Sequence, residues 1–120
     1  MTHNTAFRDI TSELVAFRDA RDWAQFHTPR QLAAALAIEA GELQQVMLWK
    51  TDAEVTAELS KGSLMPEIGD EIADILSFAL LLAHDLGLDP ADLIRNKLKK
   101  NEERYPADKS RGRSTKYNKL

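Results

Sequence analysis

The stretch "LAIEAGELQQVMLW", residues 36–49, decides the fold, because its apolar residues recur with the period of an α-helix. Wound as a helix, it places Glu39 on an apolar stripe with Leu36 and Leu43, and Glu42 on the adjoining face. Two carboxylates therefore lie among aliphatic side chains. Ionised groups are costly in such surroundings unless an opposite charge compensates them.

The same helical period recurs along most of the chain, so we predict an all-α fold. Four main helices joined by short connections predict a four-helix bundle, in which sites form from side chains on facing helices. From Ile75 to Ala83 the third helix is apolar nearly all round, as expected at a bundle centre or a subunit interface. The predicted helices cover residues 5–22, 28–50, 66–87 and 89–104, with one short helix opened by Thr51 in the linker.

Size and composition restrict the class of protein. A chain of 120 residues is long enough for one hydrophobic core, which we place at residues 1–106, followed by a basic tail at 107–120 without regular structure. The chain has no cysteine, which excludes disulfides and thiolate metal sites. A net charge of −3 gives no reason to expect nucleic acid or a membrane as partner. We expect a cytoplasmic protein, because no signal core or membrane-spanning run is present.

Two acidic pairs share one spacing. Glu39 and Glu42 are three positions apart, and so are Glu71 and Asp74 on the third predicted helix. If the two helices face each other, the four carboxylates form an oxygen cage, and the natural occupant is a hard divalent ion such as Mg²⁺. The alternative for the second pair is a solvated acidic face near a helix start, where the helix dipole favours acids.

Longer stretches around these pairs carry a family resemblance. The "ExxE" of residues 39–42 and the "ExxD" of residues 71–74 resemble the signature of the all-α nucleoside triphosphate pyrophosphohydrolases, the MazG-like superfamily. The stretches "RDWAQFHTPRQLAAALAIEAGELQQVMLWK", "DEIADILSFALLLAHDLGLDPADLIRNKLKKNEERYP" and "SRGRSTKYNKL" are similar to its dCTP pyrophosphatase branch. Two departures are Ile38, where many relatives have a second glutamate, and Phe78, where the branch commonly has tyrosine.

The resemblance implies an enzyme that hydrolyses a deoxynucleoside triphosphate to the monophosphate and pyrophosphate. It implies Mg²⁺ held by the four acids, with Glu39 or Glu42 favoured as the base that activates water. It also implies a homo-oligomer, commonly a tetramer built as a pair of dimers, in which some pocket residues come from another subunit.

The implied base pocket contains Trp23, His27, Trp49, Phe78 and Asn101, with Tyr105 and Lys97 nearby. Positive charge for the triphosphate would come from Lys97, Arg111 and Lys116.

Other interpretations remain open at this point. Trp49 also suits a hydrophobic core, His27 a helix cap or the surface, and the basic tail simple solubility. Within enzymes, a broad house-cleaning hydrolase or one preferring dUTP fits the same motifs. Outside enzymes, the chain could be a non-catalytic helical interaction module, in which the acids serve only solubility and the apolar helix only assembly.

Overall fold

The computed structural model describes residues 5–120, so residues 1–4, which begin the predicted domain, lie outside the described residues. Over that range the chain is helical and contains no strand, which confirms the all-α prediction. The helices are α1 (Ala6–Ala20), α2 (Pro29–Val46), α3 (Asp52–Ser60), α4 (Met65–Asp85), α5 (Pro90–Arg104) and α6 (Ala107–Ser110). Single 3₁₀ turns lie at Ala24–Phe26 and Tyr117–Lys119.

Polar side chains start three of these helices, as predicted. Thr28 Oγ1 accepts a hydrogen bond from the Gln31 N–H at 3.2 Å, and Thr51 Oγ1 accepts one from the Glu54 N–H at 3.1 Å. Asp89 caps α5 in a similar way. Each cap satisfies a backbone donor that has no partner inside its helix. The short linker helix that Thr51 opens is thereby confirmed as α3.

The end of α2 comes earlier than the sequence predicts. The helix stops at Val46, and Met47 to Trp49 form a turn. Trp49 has a φ of +66°, in the left-handed region that a right-handed helix cannot enter. Its side chain is 93% exposed, so Trp49 is not part of the core of this chain.

The packing of α2 against α4 dominates the part of the chain that ends at Gly87, and α1 adds a smaller contact with α4. Leu32 of α2 is 1% exposed, and Leu80 and Leu81 of α4 are also buried. Because α2 and α4 are neighbours, their acidic pairs lie on facing helices. The apolar segment of α4 is only partly enclosed within one chain, since Leu76 remains 52% exposed.

An ion pair between buried Arg18 and the more exposed Asp85 joins α1 to the end of α4. The Arg18 guanidinium donates two hydrogen bonds to Asp85, at 2.8 and 3.0 Å, and the whole residue is 6% exposed. This bidentate geometry is the strong form of an arginine–carboxylate contact. The hydrogen bonds to Asp85 raise the pKa of Arg18 above its ordinary value. Removing Asp85 alone would leave the buried charge of Arg18 uncompensated, which costs about 3–5 kcal/mol.

The residues from Leu88 to Leu120 form a second compact unit. The ring of Tyr117 lies edge-on to Tyr105, with 6.0 Å between the centroids, and the Arg104 guanidinium lies 4.9 Å from the Tyr117 centroid. The predicted irregular tail therefore contains the short helix α6 and one 3₁₀ turn. The reason is local, because Pro106 precedes the first turn of α6 in an extended conformation and accepts from the Lys109 N–H.

Among residues 5–120, no helix is both long enough and apolar enough to cross a bilayer.

Candidate functional site

Three carboxylates from α2 and α4 converge. One oxygen from each of Glu39, Glu42 and Glu71 lies within 4.8 Å of the other two. Glu39 and Glu71 are partly buried, whereas Glu42 is exposed. Glu39 and Glu42 share a helix face because they are one turn apart, and Glu71 reaches them because α4 packs on α2. The structure thus brings together three of the four acids that the sequence singled out.

Two carboxylate oxygens of these residues lack the donors that a buried carboxylate needs. Oε2 of Glu39 and Oε2 of Glu71 are buried and have no hydrogen-bond donor among the described residues. Native proteins rarely leave buried polar atoms unsatisfied, so such atoms indicate a missing proton, water or ion. A cluster made only of carboxylate oxygens is the donor set that Mg²⁺ and other hard cations prefer. The residues therefore fit a hard divalent cation.

The protonation of the cluster reflects its crowding. The pKa of Glu39 is raised chiefly because protonated Glu39 can donate a hydrogen bond to Glu71. Burial and the negative charges of Glu71 and Asp74 raise it further. The pKa of Glu42 is raised chiefly by the corresponding hydrogen bond to Glu39 and by the charge of Glu39. Both pKa values are raised because neighbouring carboxylates repel each other when they are ionised at the same time. A bound cation would offset that repulsion.

A groove of about 530 Å³ lies beside the cluster. It is the size of a small-ligand site, and much of its wall is apolar, from α1, α4 and the connection before α2. Trp23, His27 and Phe78, three residues of the predicted base pocket, line this groove. The rings of His27 and Phe78 meet edge-on, with 6.5 Å between centroids, and Trp23 meets Phe17 similarly at 5.8 Å.

Asp74 connects the groove with the acidic cluster. It lines the groove, and its charge raises the pKa of both Glu39 and Glu42. Its carboxylate is not part of the 4.8 Å set, so the geometry distinguishes it from the other three acids. An apolar groove with an acidic cluster at one side can hold a flat apolar group and a cation-bearing anionic group at the same time.

The remaining predicted residues lie elsewhere. Trp49 does not line the groove within one chain. In the second unit, Lys97 and Asn101 line a groove of about 430 Å³ along α5, together with apolar residues of that helix. Tyr105 contacts Tyr117, and Arg111 and Lys116 are exposed.

Sequence reasoning missed three polar residues of the groove wall, which are Glu13, Arg18 and Ser77. Glu13 and Arg18 belong to a helix that the sequence presents only as an amphipathic element. Arg18 meets its partner Asp85 across 67 positions, a separation at which no local pattern signals a contact. An arginine close to apolar positions near the end of α1 was the one available hint.

The fold and the site define an all-helical protein with carboxylates on two facing helices beside an apolar groove. A family model described as "MazG-like family" matches residues 34–120. The chain therefore belongs to the MazG-like family.

Individual relatives agree with this assignment. The chain is 36% identical over 112 residues to dCTP pyrophosphatase 1 of Rattus norvegicus and to that of Homo sapiens, covering 93% of this chain in each case. It spans 66% of the length of these curated relatives. A crystal structure of a pyrophosphatase from Archaeoglobus fulgidus DSM 4304 superposes with a TM-score of 0.79 at 31% identity, covering 88% of this chain and 97% of that one.

Proposed function

We propose that the protein is a nucleoside triphosphate pyrophosphohydrolase that acts on dCTP or a close relative. The reaction joins the oxygen of a water molecule to the α-phosphorus and breaks the bond between that phosphorus and the oxygen bridging to the β-phosphate. The products are the nucleoside monophosphate and pyrophosphate. The names of the curated relatives and of the similar crystal structure support this reaction class.

Glu39, Glu42 and Glu71, with Asp74 beside them, are the residues that would hold Mg²⁺. When bound, Mg²⁺ would neutralise phosphate oxygens and promote ionisation of a water molecule. Because these carboxylates lie at fixed positions on two packed helices, they would hold the cation in place, and the cation rather than the carboxylates would attract the triphosphate. Glu39 or Glu42 would accept the proton of the attacking water.

The groove would bind the base. Trp23 and Phe78 offer aromatic faces and edges, and stacking on aromatic groups suits any heterocycle. His27 adds a polar group in the same wall. The family resemblance assigns Lys97, Arg111 and Lys116 to the triphosphate, and Asn101 and Tyr105 to the base, and we retain these five residues as proposed substrate contacts. All five belong to the second unit.

One observation carries the proposal: Asp74 belongs both to the groove wall and to the electrostatic surroundings of the acidic cluster. A nucleotide has this same combination of a flat base and an anionic chain. The test is incubation of the protein with dCTP and Mg²⁺ and separation of the products. We expect dCMP and pyrophosphate in equal amounts. Appearance of dCDP and orthophosphate would refute the proposed bond cleavage.

A homo-oligomer, such as a tetramer built as a pair of dimers, belongs to the same proposal. Trp49, Ile38 and Met65 expose 93%, 61% and 57% of their surfaces, respectively, in the single chain. Large exposed apolar side chains on packed helices are typical of interfaces. A neighbouring subunit would also explain how Trp49, which lies outside the groove of its own chain, serves as part of a base pocket. We place this assembly in the cytoplasm.

Two alternatives are separated by simple experiments. A broad or dUTP-preferring hydrolase differs from a dCTP enzyme in its relative kcat/KM across a panel of triphosphates.

A non-catalytic interaction module would keep its oligomer and lose no measurable property in the Glu42→Gln variant, whereas the enzyme would lose metal binding and turnover. Changing Glu67, an acid of the first turn of α4 outside the 4.8 Å set, to Gln provides the matched control.

A further inference from the structure

Arg18 is an unusual component of the groove wall. It is the buried charged residue of the described chain, with 6% of its surface exposed, in a groove lined largely by apolar side chains. Each of its two terminal nitrogens donates one hydrogen bond to Asp85, at 2.8 and 3.0 Å. Asp85 therefore fixes the plane and the position of the guanidinium.

The third nitrogen of Arg18 is not satisfied. Nε is buried and has no hydrogen-bond partner among residues 5–120. The nearest carboxylate oxygen of Asp19 is 3.9 Å away, which is too long for a hydrogen bond. A guanidinium has no acceptor and cannot lose its charge, so this N–H needs an acceptor from elsewhere.

His27, which also lines the groove, has a second unsatisfied nitrogen. Nδ1 of His27 is buried and lacks a hydrogen-bond partner among the described residues. Two residues that line one groove of about 530 Å³ thus each have a buried nitrogen without a hydrogen-bond partner, which favours a ligand with polar atoms on the edge of a flat body. A heterocyclic base with a carbonyl group has that form.

We propose that Arg18 determines specificity by donating its Nε–H to a carbonyl oxygen of the base, which in a cytosine is the 2-carbonyl, with Asp85 as the residue that positions it. This inference rests on the proposed function, because it takes the groove ligand to be a nucleobase. A buried donor left without an acceptor is a strong means of rejecting a ligand. Bases or analogues without an acceptor at that position would therefore bind poorly.

Replacing Arg18 with lysine isolates the nitrogen in question. Lysine keeps a positive charge that can reach Asp85, and it places a methylene where arginine has Nε. Each variant is assayed with dCTP and with 2-thio-dCTP, whose sulfur is a poor acceptor. In the wild type we expect kcat/KM for 2-thio-dCTP to be roughly 10- to 100-fold lower than for dCTP, the range for a hydrogen bond to a charged group.

In Arg18→Lys we expect the KM for dCTP to rise roughly 10- to 100-fold. The preference for dCTP over 2-thio-dCTP should disappear, and kcat should stay within about twofold of the wild-type value. Arg95→Lys is the matched control, because Arg95 is exposed and lies 3.8 Å from Asp92. An equal loss for both substrates, or an unchanged preference, would overturn the inference and show that Arg18 only supports the fold.

Binding of free deoxycytidine, followed by NMR without metal or phosphate, separates this inference from the proposed function. If the wild type hydrolyses dCTP but Arg18→Lys changes neither nucleoside binding nor the preference for dCTP over 2-thio-dCTP, the role of Arg18 is refuted and the proposed function stands. Tighter binding of deoxycytidine than of 2-thiodeoxycytidine by a wild type that hydrolyses nothing refutes only the catalytic proposal. Should Arg18→Lys fail to fold, equal affinity of the wild type for these two nucleosides would still overturn the inference.

Discussion

The crowding of Glu39, Glu42 and Glu71 has a cost in the metal-free protein. One oxygen of each lies within 4.8 Å of the others, and the pKa values of Glu39 and Glu42 are raised as a result. Functional sites commonly keep such unfavourable charge arrangements because the ligand relieves them. The cluster should therefore destabilise the folded protein without metal, and metal binding should stabilise it.

The first prediction concerns pH and Glu42. A folded-state pKa raised above the unfolded value means that the folded protein binds more protons, so this contribution to stability is present at low pH and is lost as pH rises through the folded pKa. Without metal at pH 8, Glu42→Gln should therefore melt at a higher temperature than the wild type. The gap should narrow as pH falls and Glu42 becomes protonated. Thermal denaturation in EDTA measures this, and a gap that widens on acidification would contradict it.

The second prediction concerns metal binding by the same residue. Mg²⁺ should raise the melting temperature of the wild type in a concentration-dependent way, because a ligand that binds only the folded state stabilises it. In Glu42→Gln that increase should be absent, and turnover of dCTP should fall on the order of 100-fold or more, as expected when reacting groups lose their alignment. An equal Mg²⁺ response in both proteins would exclude Glu42 as a ligand. Glu67→Gln should behave like the wild type.

The acids were predictable because their spacing in sequence fixes their shared helix face. Glu39 and Glu42 need only one turn of one helix to be neighbours, and they are neighbours in the structure. Arg18 and Asp85 were not predictable, because their contact depends on how α1 crosses the end of α4. Local periodicity contains no information about such a crossing.

Helix beginnings were easier to predict than helix ends. Thr28, Thr51 and Asp89 act as caps where the sequence places them, since a cap is a local hydrogen bond within three residues. The end of α2 depends on the left-handed conformation of Trp49, which a bulky residue adopts only when its surroundings impose it. A helical pattern that continues through Trp49 cannot reveal this.

The third prediction tests the cap of α2, which positions Glu39 and Glu42. Thr28→Ala removes the acceptor of the Gln31 N–H and should lower the free energy of unfolding by about 1 kcal/mol. Thr56→Ala, at an exposed position inside α3, is the control and should change it by less than about 0.5 kcal/mol. Chemical denaturation distinguishes the two. Equal effects would mean that the cap does not stabilise α2.

Large apolar side chains remain exposed to solvent in the single chain. Apolar residues remain exposed on α4 and around the end of α2, including Leu76 and Trp49. The sequence identified the apolar stretch of α4 and left open whether it fills a bundle centre or a subunit interface. Its partial exposure in the single chain agrees with the subunit interface that we propose. Which surfaces meet could not be read from the sequence, because the same apolar pattern serves both purposes.

The fourth prediction concerns Trp49. Because it is 93% exposed in the single chain, Trp49→Ala should change the free energy of unfolding of a subunit by less than about 0.5 kcal/mol. If Trp49 stacks on the base bound by a neighbouring subunit, KM for dCTP should rise roughly 5- to 150-fold, the equivalent of about 1–3 kcal/mol of stacking. Chemical denaturation measures the first effect and steady-state kinetics the second. An unchanged KM would remove Trp49 from the pocket.

The most direct measurement is hydrolysis of dCTP with Mg²⁺ in ¹⁸O-labelled water, followed by mass spectrometry of both products. Attack at the α-phosphorus predicts one ¹⁸O in dCMP and none in pyrophosphate, with the signal lost in Glu42→Gln. Label in pyrophosphate, release of orthophosphate, or equal turnover by Glu42→Gln would contradict the account.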